Sequence, residues 1–168
     1  MRKIIAFLAN RELTQFKLVI SAIILSLVYS CSESGPESVK PGEHKCEFCK
    51  MGIVNLNYNS QILTKKGRRY NFDSIECLFS YWNQNEDKVE KVWVKNYLNS
   101  QDWLEVENAK FLKAEKLPSP MAANLSSYRS LEDAEKNLTI YGGSILSRED
   151  VMHFIKTNWD KDLSQKSK

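Results

Sequence analysis

The sequence predicts an α+β fold with two similar ββαβ-type halves packed together, preceded by a flexible tether. Each half shows two strand-like segments, then a helix with a polar start signal, then a further strand. Residues 72–78 also align with residues 128–134 at an offset of 56, so that an aromatic residue, a serine, an aliphatic residue and a glutamate coincide. The repeat indicates two related units, and the alternative is chance similarity between two capped helix starts. A chain of 168 residues is long enough for two small halves that share a core.

Residues 1–30 have the pattern of an export signal. Four basic residues precede an apolar run over 18–28, which is too short to span a bilayer as a permanent helix. Ser30, a small residue, then stands directly before Cys31, and a Ser/Gly/Pro-containing segment follows, as in bacterial lipoproteins. We therefore expect a lipoprotein signal peptide over 1–30, a lipid on Cys31 and a flexible lipidated tether over 31–43. The alternative is an ordinary secretory cleavage beside a chance cysteine.

The charge balance argues against nucleic acid as a partner. The chain carries a formal net charge of +3, and residues 1–30 hold four basic residues and one acidic residue, which also gives +3. The remainder is therefore formally neutral, and it has neither a block of Lys and Arg nor a Gly-rich phosphate loop. No carboxylate pair or Ser/His/Asp set indicates catalysis, so we expect a protein that is not an enzyme.

The first half of the predicted domain, about 44–98, follows the tether. Partial alternation of apolar residues predicts a strand over 53–58, and a hairpin with Gly67 at its turn is predicted over 61–72. Asp73 or Ser74 can cap the helix that follows, with Glu76 in its first turn. Residues 89–97 are predicted to form a strand.

The second half, about 99–160, repeats this order. Strands are predicted around 111–112 and 125–128, and a helix begins at Ser130 and ends at Gly142. Its core-facing side is expected to hold Leu131, Ala134, Leu138 and Tyr141. A strand over 144–146, a last helix over 148–158 and a solvated tail over 161–168 complete the chain.

The densest chemical signal is Cys46-x-x-Cys49-x-Met51, in a stretch that begins at His44, shortly after a Pro-Gly break. Thiolate and thioether are soft ligands that favour Cu(I) over harder ions, so these three residues are predicted copper ligands. A c-type haem site is excluded, because it requires His after the second Cys and Lys50 stands there. A thiol–disulfide oxidoreductase is a further alternative, although its dithiol normally lies at a helix N-terminus.

Four other residues have side chains that could bind a metal. Met121 follows a Pro-Ser-Pro segment that would present its thioether, so it is a second candidate copper ligand, with core packing as the alternative. Cys77 lies within an apolar helical pattern, which favours a buried core thiol over a ligand. A zinc-stabilised interaction module requires four ligands, which Cys77 and His44 would have to complete. His153 is expected on the surface of the last helix.

The order of these features resembles the NosL family, lipoproteins that deliver copper to nitrous oxide reductase. The resemblance covers most of the chain after the tether, and the order of the segments makes it specific. Ala122 departs from the glycine that is usual in the family. The matching segments are the lipobox cysteine, Cys46-x-x-Cys49-x-Met51, the Phe-Asp-Ser-x-Glu-Cys stretch at 72–77, Trp-Val-Lys-Asn-Tyr at 93–97, the Pro-Met-Ala loop at 120–122 and the helix ending in Gly-Gly at 131–143.

The resemblance implies a function, a location and partners. Such a protein binds Cu(I) in an exposed, incompletely coordinated site and hands it to nitrous oxide reductase or to its maturation machinery, a periplasmic partner and a membrane ABC transporter. It is anchored by lipid to a membrane of the bacterial cell envelope, facing the periplasm, with the outer membrane favoured. The family pattern leaves open which of Cys46 and Cys49 is the essential thiolate.

Overall fold

The computed structural model describes residues 35–161, in which the strands form two antiparallel sheets. The first sheet has the spatial order β2-β1-β3-β4, and helix α1 and a short 3-10 turn connect β2 to β3. Its elements are β1 (Ser60–Thr64), β2 (Arg69–Phe72), α1 (Ile75–Gln84), the 3-10 turn (Glu86–Lys88), β3 (Val89–Asn96) and β4 (Asn99–Glu105).

The second sheet repeats the arrangement of the first three strands, with the order β6-β5-β7. The described part of the chain ends in a helix that continues as a π-helical turn. These elements are β5 (Lys110–Lys113), β6 (Leu125–Tyr128), α2 (Leu131–Tyr141), β7 (Ser144–Leu146), α3 (Arg148–Phe154) and the π-helical turn (Ile155–Trp159). The predicted α+β fold with two ββαβ units is therefore confirmed.

The helix starts of the two units correspond closely. Helices α1 and α2 begin 56 residues apart, at the predicted offset. Each begins after a serine whose side chain accepts a backbone hydrogen bond: Ser74 from the N–H of Cys77, and Ser130 from the N–H of Asp133. Such a cap satisfies one of the free N–H groups of the first turn. The same local chemistry thus sets the start of the helix in both units.

The two units pack on each other through apolar and polar contacts. The ring of Phe79 on α1 meets the ring of Phe111 on β5 edge to face, with centroids 5.7 Å apart. Between the sheets, the Ser127 hydroxyl donates to the carbonyl of Lys95 at 2.6 Å, and the N–H of Tyr97 donates to the carbonyl of Ser127 at 2.7 Å. A shared core of this kind lets loops from one unit reach side chains of the other.

Three element predictions differ from the structure. Residues 53–58 form no strand, because the N–H of Ile53 bonds to His44 and the chain then turns at Asn55, whose carbonyl accepts from Tyr58 at 3.4 Å. Strand β4 was not predicted, and it extends the first sheet past residue 98. The predicted boundary between the two halves, at 98 and 99, stays a prediction. Leu131 is 48% exposed and does not face the core.

The segment before the first strand packs against the domain. The backbone N–H of Glu37 donates to the Gln61 side chain at 2.8 Å, and the Glu37 carboxylate pairs with Arg69 at 2.7 Å. Val39 is buried in the core. From Glu37 onward, the stretch predicted as a tether therefore contacts the domain. The signal peptide over 1–30, the lipid on Cys31 and residues 162–168 of the predicted tail lie outside the described residues.

Among residues 35–161, no helix has both the length and the apolar character needed to cross a membrane.

Candidate metal centre

The first two thiols lie on a tight loop, residues 46–51, called the cysteine loop below. The N–H of Cys46 donates to the carbonyl of Met51 at 2.8 Å, and the N–H of Lys50 donates to the carbonyl of Cys46 at 3.0 Å. Lys50 takes a left-handed conformation with φ 65°, which reverses the chain after Cys49. This loop leaves Cys46 fully buried and Cys49 half-buried, whereas Met51 is 48% exposed.

A carboxylate and a third thiol come from the junction between β2 and α1. Asp73 follows the last residue of β2, Ser74 caps α1, and the N–H of Cys77 donates to the Ser74 side chain at 3.4 Å. The first helical turn therefore brings Cys77 back to the side of Asp73. The N–H of Glu47 donates to the carbonyl of Asn71 at 2.8 Å, which holds the cysteine loop against the end of β2.

Cys46, Cys49, Asp73 and Cys77 form one cluster, called the cysteine cluster below. One ligand atom of each residue lies within 4.8 Å of the others. The Cys49 thiol donates to Asp73 Oδ2 at 3.5 Å, and the buried Asp73 Oδ1 has no hydrogen-bond partner among residues 35–161. Burying a carboxylate oxygen without a partner is unfavourable, and a metal ion would satisfy it. The three sulfurs and the Asp73 carboxylate therefore fit a metal ion.

The three thiols differ in how readily they ionise. A hydrogen bond from the Cys77 thiol lowers the pKa of Cys46 to about 7. The same contact, together with burial, raises the pKa of Cys77. Burial raises the pKa of Cys49 to about 12. Because metals bind the thiolate, Cys46 is the thiol expected to bind first, and the bound cation then favours ionisation of the other two.

The cluster contains one residue that the sequence favoured as a core thiol and one that it did not indicate as a ligand. Cys77 is fully buried, as expected of a core thiol, but its sulfur lies beside that of Cys46. Asp73 was considered only as a helix cap. Two features of the sequence could have indicated these residues as ligands: the odd number of thiols, and the spacing of four residues between Asp73 and Cys77 at a helix start. His44 is not part of the cluster, and His153 is exposed on α3, as predicted.

A surface cavity of about 340 Å³ borders the cluster at Asp73. The loop after Cys49 forms one wall, and the start of the loop over residues 118–124, called the methionine loop below, forms another. Met121 on this loop is half-buried and packs against the core. Both predicted methionine ligands therefore lie on loops that border this cavity, and their coordination of a metal stays a prediction. The cavity is lined by Met51, Gly52, Val54, Asn55, Asp73, Pro118, Ser119 and Pro120.

Comparison with known proteins gives a matching family and a similar solved structure. A model of the NosL family matches residues 39–154. The crystal structure of the copper chaperone NosL from Shewanella denitrificans is similar in fold, with a TM-score of 0.64 and 22% sequence identity. The similarity covers 71% of this chain and 96% of that chain. No curated protein sequence matches the chain. The range matched by the family model contains the whole cysteine cluster, Met51 and Met121.

Proposed function

This chain belongs to the NosL family, and from that premise we propose that it is a metallochaperone that delivers Cu(I) outside the cytoplasm. The acceptor is nitrous oxide reductase or its maturation machinery, a periplasmic partner and a membrane ABC transporter. A lipid on Cys31 holds the protein on a membrane of the cell envelope, facing the periplasm. The observation that carries this proposal is a cluster of three thiols beside an exposed methionine.

The choice of Cu(I) rests on the softness of the donors. Three sulfurs from Cys46, Cys49 and Cys77 lie together, and soft sulfur ligands favour Cu(I). Met51 adds a thioether at the edge of the surface cavity that borders Asp73. Methionine in a folded protein is mainly a core residue, whereas Met51 is half exposed and fills no core. Its exposure leaves the thioether accessible, as a ligand used in metal transfer must be.

The accessibility of the site suits transfer rather than permanent retention. Cys46 and Cys77 form a buried back wall, while Cys49 is half-buried and Asp73 borders the open cavity. A ligand of an acceptor protein can enter from the cavity side and displace one donor at a time. The ion then leaves without the fold having to open.

Zinc is a second candidate cargo or structural ion, favoured by one observation. Three cysteines and Asp73 make a set of four donors, the number that a closed tetrahedral Zn²⁺ site requires. This set uses neither Met51 nor Met121. Replacement of both methionines should therefore lower the affinity for Cu(I). A metal that binds with unchanged affinity after this replacement is held by the cysteine cluster alone.

A thiol–disulfide oxidoreductase has less support from the geometry. Cys46 and Cys49 lie on a loop closed by backbone hydrogen bonds, not at the N-terminus of a helix. Cys77 also lies against Cys46, which makes the site a three-thiol cluster instead of an isolated dithiol.

Copper loading of the acceptor enzyme in cells tests the proposed delivery. A nitrous oxide-reducing host that lacks this protein receives the wild-type gene or one encoding Cys46→Ser, Met51→Leu or Met152→Leu. Met152 lies on α3 and serves as the matched control for a methionine-to-leucine change. We expect nitrous oxide reductase purified from the Cys46→Ser and Met51→Leu strains to be deficient in copper, and that from the Met152→Leu strain to be fully loaded. Full loading in the absence of the protein would contradict the proposal.

A further inference from the structure

The methionine loop is tied to the first unit by a buried carboxylate. Three donors from this loop share one oxygen, Glu76 Oε1: the Ser119 hydroxyl, the N–H of Met121 at 3.2 Å and the N–H of Ala123 at 3.3 Å. Glu76 lies in the first turn of α1 and is fully buried. Glu76 therefore fixes the loop backbone at Met121 and on both sides of it.

The carbonyl of Met121 is held by a different residue. Trp159, at the end of the π-helical turn, donates its indole N–H to this oxygen at 3.2 Å. The Trp159 ring lies against Phe48 of the cysteine loop, with centroids 6.0 Å apart. The next residue, Asp160, accepts a hydrogen bond from the Ser80 side chain on α1 at 2.5 Å, which anchors the turn. Trp159 thus joins the methionine loop to the cysteine loop.

We infer that Glu76 and Trp159 are positioning residues of the metal centre. They hold the backbone of Met121 at its N–H and at its carbonyl, and so fix the point from which its side chain leaves the loop. Each is attached to that cluster: Glu76 directly precedes Cys77 in α1, and Trp159 packs on Phe48, which directly precedes Cys49. This inference rests on the proposed role of Met121 as a Cu(I) ligand.

Preorganisation gives such residues an effect on affinity. A thioether is a neutral ligand and binds more weakly than a thiolate, so its contribution depends on being in place before the ion arrives. A loop without regular secondary structure would otherwise lose conformational freedom when the metal binds, at a cost to affinity. Loss of a residue that orients a metal ligand lowers metal affinity roughly 10–100-fold. We expect Trp159→Phe, which keeps a ring but loses the N–H donor, to weaken Cu(I) binding about tenfold.

A double-mutant cycle on the full chain separates positioning from general stabilisation. Cu(I) affinity is measured anaerobically against a Cu(I) chelator for the wild type, Trp159→Phe, Met121→Leu and the double variant. If Trp159 acts through Met121, Trp159→Phe weakens binding in the wild type and has no further effect once Met121 is leucine. Trp103→Phe serves as the control, because it makes the same substitution on β4, at a ring that packs against Lys95, and its Cu(I) affinity should equal that of the wild type.

Variants of Glu76 give an independent readout. Glu76→Gln keeps an oxygen that can accept the same three hydrogen bonds, so it should retain most of the affinity that Glu76→Ala loses. Equal losses for Trp159→Phe in both backgrounds would show a merely structural role and overturn the inference. Unchanged affinity in Met121→Leu would also overturn it, while copper binding itself would stand. A wild-type chain that fails to bind Cu(I) would instead refute the proposed function.

Discussion

Replacement of Cys77 by alanine distinguishes a metal ligand from a core residue. Cys77 is fully buried, so loss of its sulfur leaves a small void that destabilises the metal-free fold by about 1–2 kcal/mol. If packing were its only role, the metal affinity of the folded protein would not change. As one of four metal donors, Cys77 would contribute directly to the metal affinity. A four-ligand zinc site binds its ion with about 10–16 kcal/mol, so one donor accounts for about 3 kcal/mol, on the order of a 100-fold change in affinity.

A matched variant controls for the loss of stability. Ile75→Val, in the same turn of α1, removes a buried methylene and costs about 0.5–1.5 kcal/mol without removing a donor atom. Urea unfolding of the metal-free proteins gives their free energies of unfolding, and chelator competition gives their metal affinities. We expect similar unfolding free energies but a large loss of affinity in Cys77→Ala alone. If its affinity falls no further than that of Ile75→Val, Cys77 is a core residue and not one of the metal donors.

Three further predictions follow from the pKa values and the backbone. Ultraviolet absorbance of the metal-free protein should show one thiolate forming with a midpoint near pH 7 that Cys46→Ser abolishes; ionisation only near the ordinary thiol value would contradict the hydrogen bond from Cys77. Burial lowers the pKa of Lys95 to about 8, so between about pH 8 and the ordinary lysine value of 10.5 the unfolded chain binds more protons than the native one. The free energy of unfolding should therefore rise with pH there, relative to Lys95→Met, and parallel pH profiles would refute this. Ala122 has a left-handed φ of 63°, a conformation that costs an L-residue about 1–2 kcal/mol. Ala122→Gly should therefore raise the free energy of unfolding, measured in urea, by about 0.5–1 kcal/mol. A decrease would contradict backbone strain at this position.

The elements that the sequence predicted are those specified by short-range chemistry. Ser74 and Ser130 cap the two helices with their own side chains, and Gly67 takes the positive φ of 75° that its hairpin turn requires. Strand β4 depends on a distant partner instead. Its sequence, Asn99–Glu105, is mostly polar, and it is held by pairing with β3, where Leu104 lies opposite Val94. No local pattern could have indicated that pairing.

The residues of the metal centre also differ in whether neighbouring or distant parts of the chain specify them. Cys46 and Cys49 are close in sequence, so their spacing alone indicated a site. Asp73 and Cys77 lie at least 24 residues after Cys49 and join them only because the cysteine loop bonds to the end of β2. Trp159 is farther still along the chain and reaches the site through the packing of the last helix. These contributions depend on tertiary contacts, and a single sequence carries little signal for them.

The most direct test of the central claim is a competition titration of the full chain with Cu(I), under anaerobic reducing conditions, beside a parallel titration with Zn²⁺. The wild type and Met51→Leu are compared, since Met51 is half exposed and its replacement should leave the free energy of unfolding unchanged. A chaperone that uses this thioether binds one Cu(I) per chain and loses at least about tenfold in Cu(I) affinity in Met51→Leu, with Zn²⁺ affinity unaffected. Cu(I) binding that ignores Met51, together with a preference for Zn²⁺, would contradict the account and favour a zinc-stabilised module.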